Sequence, residues 1–510
     1  MYSWKPYVST AVMILALFFT NSSAIAAGGL MAAKTLDRDE DAVIVKGSAL
    51  AGFVAVPLNQ LFVYAFRKNQ WHQIPWQFDE KQNGEYRALD NGQLDGEDEL
   101  VVLGRDCGDR AGVQEHISDA SARSFPRYEI TIVDPLNTAK VGWIYVYRST
   151  TLADTVKTDY VVFDFPTSIF TTPVYTLGFM VKYLGGDRLE LNGSGINVLD
   201  RSKYRFKPTG QSVFTEEWAE GEDPQPKIID GRVRAIAGYQ EQGQGILTFA
   251  YRSQFYDLMT VDLTWAPGSF DWARASADFN ENIKGGIYYD ANTPNGVVVD
   301  GKPDSIKTTP ASLWQQISAS TGTIIHAADI APMQGTPSTY YKDDATLDPQ
   351  DTGDKKSFGD MGVTVTRPNK NIYLSVTHYI LPPQQPNVGA RYYACFTQPL
   401  QSQASVTAVA RMEDHNAPCS FTVSPGYPNP FNATTSLQYQ VGAPAHVRID
   451  IFDLTGRRIR RLIDEQHRPG MFRIQWDGLN DSDQPSSSGI YLCECWAGQT
   501  KLTRQLVLLR

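Results

Sequence analysis

Val447-Arg448-Ile449-Asp450-Ile451-Phe452 puts a branched apolar side chain at every second position. That is the period of a half-buried strand, and it sets Val447, Ile449 and Ile451 on one face. Working outward, the same reading predicts strands over Ser436–Val441, Arg457–Ile463, Met471–Trp476, Ile490–Trp496 and Thr503–Leu509. Leu454-Thr455-Gly456, Arg468-Pro469-Gly470, Asp477-Gly478 and Ser488-Gly489 punctuate them with turn chemistry. Pro425, Pro428 and Pro430 make a stiff, extended entry. Six or seven short strands in about ninety residues is the size of an immunoglobulin-like sandwich.

Several ordered motifs make this region specific. They are Tyr427-Pro428-Asn429-Pro430-Phe431-Asn432, Asp453-Leu454-Thr455-Gly456-Arg457, Trp476-Asp477-Gly478, Ser488-Gly489-Ile490-Tyr491 and the closing Leu506-Val507-Leu508-Leu509. Together they resemble the type A C-terminal sorting domain of the type IX (Por) secretion system. That domain is similar in fold to the immunoglobulin-like domain of the flagellar hook-capping protein. The resemblance covers residues 426–510, under a fifth of the chain. It implies recognition by outer-membrane secretion machinery after Sec export, often with removal of the domain as cargo is attached to surface lipopolysaccharide or released. Ala433 stands where the family commonly has proline, and Cys493 and Cys495 replace aromatic or aliphatic residues. The basic run Arg457, Arg458, Arg460 and Arg461 reads either as a translocon-reading face or as charge that keeps a strand edge soluble.

The opposite end agrees with export. Lys5, the apolar run Ala11–Phe19, polar Thr20–Ser23 and Ala24-Ile25-Ala26 form a signal peptide, with cleavage expected after Ala26. The apolar run is too short to span a bilayer, which takes roughly 20 apolar residues, and no later segment is longer. The chain is therefore not read as a transmembrane protein.

Between these ends the chain reads as mainly β, in several β-sandwiches. Twenty-five Tyr, 23 Phe and 10 Trp accompany 40 Gly and 29 Pro, the mixture of short strands and turns. At 510 residues the chain exceeds what one core serves. The net charge is -10, yet the tail from Cys419 onward is slightly basic, so the acid excess lies in the body. An acidic body repels phosphate, which excludes nucleic acid and anionic membrane surfaces as partners. Five cysteines leave at least one free thiol. Cys493 and Cys495 share a strand face, Cys395 and Cys419 flank the junction with the tail, and no spacing suggests zinc.

A first sandwich is expected over residues 35–158. Its strands include Ala42–Lys46, Gln60–Phe66, Tyr128–Val133 and Trp143–Tyr147. Among them, Asp90-Asn91-Gly92-Gln93-Leu94-Asp95-Gly96-Glu97-Asp98-Glu99 crowds oxygen donors around glycines, as a Ca²⁺ loop requires. Asp90, Asn91, Asp95 and Asp98 are the candidate calcium ligands, and calcium is the one cofactor suggested. The EF-hand frame fails, because with Gly96 as the sixth loop position Val102 falls where a bidentate Glu is needed. An acidic turn leading into a strand is the competing reading.

A larger sandwich with long loops is expected over residues 159–410, followed by a linker over 411–425. Phe270–Phe279, Gly245–Tyr251 and Ile372–Ile380 read as strands, Ala311–Ser318 as a short helix, and Ser338–Asp360 as a long polar loop. Seven histidines limit acid–base chemistry. His326, and His378 beside Tyr379, are the candidates for lyase-type proton abstraction, against the plainer reading of structural histidines at strand ends. No nucleophile elbow, zinc-protease, dinucleotide or P-loop motif occurs. Two classes remain: a non-catalytic surface protein that binds a glycan or another surface component, or a secreted polysaccharide lyase or glycoside hydrolase with its site in the middle region.

Overall fold

A computed structural model describes residues 31–509 except 89–90, 181–184, 220–226, 242–243, 263, 265–267, 331–333, 408–420, 433, 442–443, 469 and 499. The signal peptide over 1–26, Asp90, Cys419, Ala433 and most of the 411–425 linker fall outside the described residues. The chain is mainly β, with antiparallel ladders throughout and, among the described residues, one α-helix, Gly389–Thr397. It divides into two compact units, Met1–Ala410 and Arg411–Arg510.

The first unit is built around a nine-stranded sheet. Its order is Lys227–Asp230, Arg234–Glu241, Gln244–Tyr251, Gln254–Asp262, Asn371–Leu381, Thr323–Asp329, Trp314–Ser318, Ile287–Asp290 and Thr293–Val298. A four-stranded sheet of Leu199–Pro208, Phe270–Phe279, Ser357–Thr366 and Thr336–Asp344 packs on it. Alternation decides what each face carries. In Phe270–Phe279, Ala273, Ala275 and Ala277 enter the shared core, where Phe206 and Val363 meet Met259, Leu374 and Ala328. Arg274, Ser276 and Asp278 take the other face.

Two elements depart from the sequence reading. Ala311–Ser318 is not a helix; Trp314–Ser318 is a strand, buried at every position. Trp314 packs on Gly389, and the Gln316 amide bonds to Gln385 and Val388, while Ile317 fills the sandwich core. Burial on both faces removes the alternation that identifies strands. Ser338–Asp360 is not one loop but a hairpin, Thr336–Asp344 and Ser357–Thr366, whose connection is residues 345–356.

The N-terminal sandwich pairs Gln401–Thr407, Arg127–Val133, Val141–Arg148, Leu61–Arg67 and Gln70–Gln73 in one sheet. Ala42–Lys46, Glu99–Leu103, Gln77–Gln82 and Glu85–Arg87 form the other. Val43, Val45, Leu100 and Val102 meet Ile130, Ile132, Ile144 and Val146 between them. The opposite face of Glu99–Leu103 offers Val101 and Leu103 to Val233, Ile236, Leu247 and Phe249 of the nine-stranded sheet. Arg234, wholly buried, crosses that boundary to Asp79 and Glu99. Gln401–Thr407, expected with the middle region, instead completes the N-terminal sheet. The two sandwiches thus share a wall.

The second unit is a seven-stranded sandwich. Thr422–Val423, Thr435–Val441 and Gly470–Trp476 form one sheet; Arg458–His467, Ala445–Asp453, Gly489–Ala497 and Thr500–Leu508 form the other. Val447, Ile449 and Ile451 are fully buried on the face their alternation predicts.

Candidate functional site

Each motif of the C-terminal unit closes a particular contact. The Asn429 side-chain oxygen accepts from the Val507 N–H, and its amide donates to the Gln505 carbonyl, so the motif clamps the last strand. Phe431 is buried, exchanges backbone hydrogen bonds with Val507 and Leu509, and meets the Trp476 ring edge-on at 5.5 Å. Trp476 is fully buried, meets the Tyr491 ring edge-on at 4.9 Å and donates its indole N–H to the Leu479 carbonyl. Tyr491 donates to the Ser487 carbonyl, and Asp477 accepts from the Leu479 N–H across the turn at Gly478. Asp453 accepts from the backbone N–H groups of Thr455 and Arg457 around Gly456, whose φ of +83° favours glycine. By contrast Tyr427 is 82% exposed.

The basic run is matched by acids of the same unit. Arg457 pairs with Asp453, Arg458 with Asp481, Arg460 with Asp477 and Asp483, and Arg461 with Asp450 and Asp464. Cys493 and Cys495 are buried free thiols with sulfurs 3.7 Å apart, and Cys107 and Cys395 are also free.

The three catalytic candidates separate into two groups. His326 and His378 are direct cross-strand partners, their rings 4.9 Å apart. They extend an inward-facing polar row, since Asp290 opposes Gln315 and Gln315 opposes His326. Gln315 bridges the two sheets by donating to the carbonyls of Tyr340 and Gly362. Both histidines are buried. Burial lowers the His326 pKa to about 4 against the opposing pull of Asp360, and burial beside His326 lowers His378 well below the ordinary value. Neither ring nitrogen of His326 has a partner. Tyr379 points to the other face of the sheet, against Tyr392 of the helix, so the His378/Tyr379 pair is not assembled for proton abstraction. Gln315 was hidden by the helical reading of its segment.

The acidic turn is closed by its own side chains. Asp98 is fully buried and accepts from the N–H groups of Lys81 and Asp95. Asp95 accepts from Glu97 and Asp98, and Asn91 from Gln93. Burial raises the Asp98 carboxyl above its ordinary value. Among the described residues no group of three or more His, Cys, Asp or Glu is placed to hold a metal. None of their helices is long and apolar enough to cross a membrane.

A roomy concavity lies elsewhere, beside the helix Gly389–Thr397. It is a cavity of about 570 Å³, lined by Tyr373, Tyr393 and Phe396 with Asp329, Ser375 and Thr397 among others. Asp329 opposes Ser375 across the strand pair. Burial and then Asp329 raise the phenol pKa values of Tyr373 and Tyr393, so both hydroxyls stay protonated donors. The sequence reading passed over these residues, because the helix carries few polar positions to mark it.

Residues 426–509 match the family model of the secretion system C-terminal sorting domain. Such a tail marks cargo of the type IX route and implies export to the cell surface or the medium. No curated protein matches the chain. Solved structures that it resembles include dimeric latent PorU from Porphyromonas gingivalis, at 10% identity over 73% of this chain and 36% of that one, TM-score 0.18. PorZ, a surface component of the type IX secretion system of P. gingivalis, follows at 9% identity over 71% and 48%, TM-score 0.13. A Salmonella alpha-2-macroglobulin mutant shows 7% identity over 97% and 40%, TM-score 0.13. The chain thus spans between a third and a half of the length of these structures. Overlap at such TM-scores carries no argument about activity.

Proposed function

We propose that the protein crosses the inner membrane by Sec, leaves through a type IX-like outer-membrane route, and binds a glycan or another surface component through the cavity beside the helix Gly389–Thr397. The observation that carries this reading is the lining. Tyr373, Tyr393 and Phe396 offer ring faces, and Asp329, Ser375 and Thr397 offer hydrogen-bonding groups within one cavity of about 570 Å³. Aromatic faces with a few convergent polar groups suit a sugar, whose axial C–H face stacks while its hydroxyls bond.

Binding is favoured over hydrolysis because glycoside hydrolysis takes two carboxylates about 5–10 Å apart. Asp329 is the one carboxylate among the described lining residues. The histidines are sealed in the sandwich instead. A polysaccharide array scored for both retention and released product tests the proposal. Retention without product, lost in Tyr393→Ala and Phe396→Ala, is the expected result. Product released by the unaltered protein would replace binding with catalysis, and retention indifferent to both substitutions would move the site.

A further inference from the structure

The outer face of the four-stranded sheet carries a lysine with no route to water. Lys203 is fully buried, as is Asp278 on the adjoining strand, and Asp360 on the next strand is 1% exposed. Lys203 opposes Ser276 in the ladder, which puts Asp278 two residues along on the same face. The Lys203 ammonium bonds to Asp278 Oδ2, lies 3.0 Å from Asp351 Oδ1 and 3.9 Å from Asp360 Oδ2. Asp278 Oδ1 and Asp360 Oδ1 are both buried and without a hydrogen-bond partner, as is the Ser276 hydroxyl. Tyr340 donates to Asp360 Oδ2, Arg205 reaches Asp351 and Thr352, and Glu216 faces Arg205 and Arg201. So much ionic material in a dry site is costly unless every charge is matched, and here two carboxylate oxygens are left over.

We propose that Lys203 and Asp278 become joined by an isopeptide bond that ties strand Leu199–Pro208 to strand Phe270–Phe279, with Asp360 carrying the protons. The Lys203 Nζ attacks Cγ of Asp278; the Nζ–Cγ bond forms and the Cγ–OH bond breaks. Of the two protons that leave nitrogen, one departs with the hydroxyl as water and the other stays on Asp360. The ammonium and the Asp360 carboxylate are therefore both neutralised, and no oxidant or co-reactant is needed. A buried ion cluster is exchanged for a neutral amide whose oxygen, the unpartnered Asp278 Oδ1, can accept from the protonated Asp360.

The choice of Asp278 over Asp351, which also contacts the ammonium, follows from proximity and from electrophilicity, since a protonated carboxyl accepts a nucleophile and a carboxylate does not. Lys203 and Arg205 hold Asp351 well below the usual carboxylate range. Burial and the adjacent Asp360 carboxyl push Asp278 far up, which favours its protonated, electrophilic form. The surrounding carboxylates keep Lys203 protonated until that proton passes along the existing hydrogen bond. Fixed neighbours at bonding distance supply the effective concentration that condensation lacks in water.

Tryptic mass spectrometry of the full-length chain tests this. The expected species joins the Lys203 peptide to the Asp278 peptide, weighs one water less than their sum, and is uncleaved after Lys203. It is absent in Lys203→Met and Asp360→Ala and retained in Asp278→Asn, where ammonia leaves instead. Cleavage after Lys203 with a free Asp278 peptide in the unaltered protein overturns the proposal, as does a link to Asp351, whether or not the variants fold.

Discussion

His326 and His378 show what a single buried position does to chemistry. Each would be an ordinary base in water, yet side by side in the sandwich both are held neutral, His326 down to about 4. In the unfolded chain both protonate near pH 6.5. The folded protein therefore binds fewer protons than the unfolded one between those values, and stability falls as the pH drops from about 6.5 toward 4. The slope is ~1.4 kcal/mol per pH unit for each histidine. Denaturant melts across this range should show that loss, and His326→Gln should flatten the slope by about one histidine's share. Asp98 makes a second residue-scale prediction. Asp98→Ala strands the Lys81 and Asp95 N–H groups and should cost about 1–3 kcal/mol in a urea melt, with the value unchanged by chelator if the carboxylate serves the turn.

At the scale of elements, the helix Gly389–Thr397 depends on one missing side chain. A Cβ on Gly389 would lie 2.1 Å from a Trp314 ring carbon. Gly389→Ala should destabilise the first unit by about 1–3 kcal/mol through overpacking. Because the helix supplies Tyr393 and Phe396, it should also weaken retention on the glycan array. This element also shows where the sequence was legible. Strands whose apolar and polar positions alternate declared themselves: Phe270–Phe279 has the predicted bounds, and Asn371–Leu381 exceeds its prediction by one residue at each end. Trp314–Ser318 did not, because both its faces are covered and its two glutamines satisfy partners from distant segments. The cavity was illegible for a related reason. Its lining comes from the helix, a strand pair and a hairpin far apart in the chain, and only the ladder registers bring them together. The tail was the most readable part, since its turns and clamps are local or join two ends of one short sandwich.

Across the whole molecule, the first unit is held by contacts that ignore the expected boundary at residue 158. Val101 and Leu103 pack on the nine-stranded sheet, and Arg234 is enclosed by Asp79 and Glu99. Arg234→Met leaves the buried Asp79 carboxylate without its cation and Glu99 with Lys81 alone, and should cost about 3–5 kcal/mol. A fragment ending at residue 158 lacks both that wall and the strand Gln401–Thr407, and should fail to give a cooperative melt. The C-terminal unit, by contrast, closes its own core, with Phe431, Trp476 and Leu508 buried together. It is the part of the chain matched to a sorting domain. Deleting Cys419–Arg510 and locating the remainder by cell fractionation tests whether the C-terminal unit directs export. A folded body retained in the periplasm is the expected result; normal delivery of the truncated chain to the cell surface or medium would overturn the sorting role of the C-terminal unit.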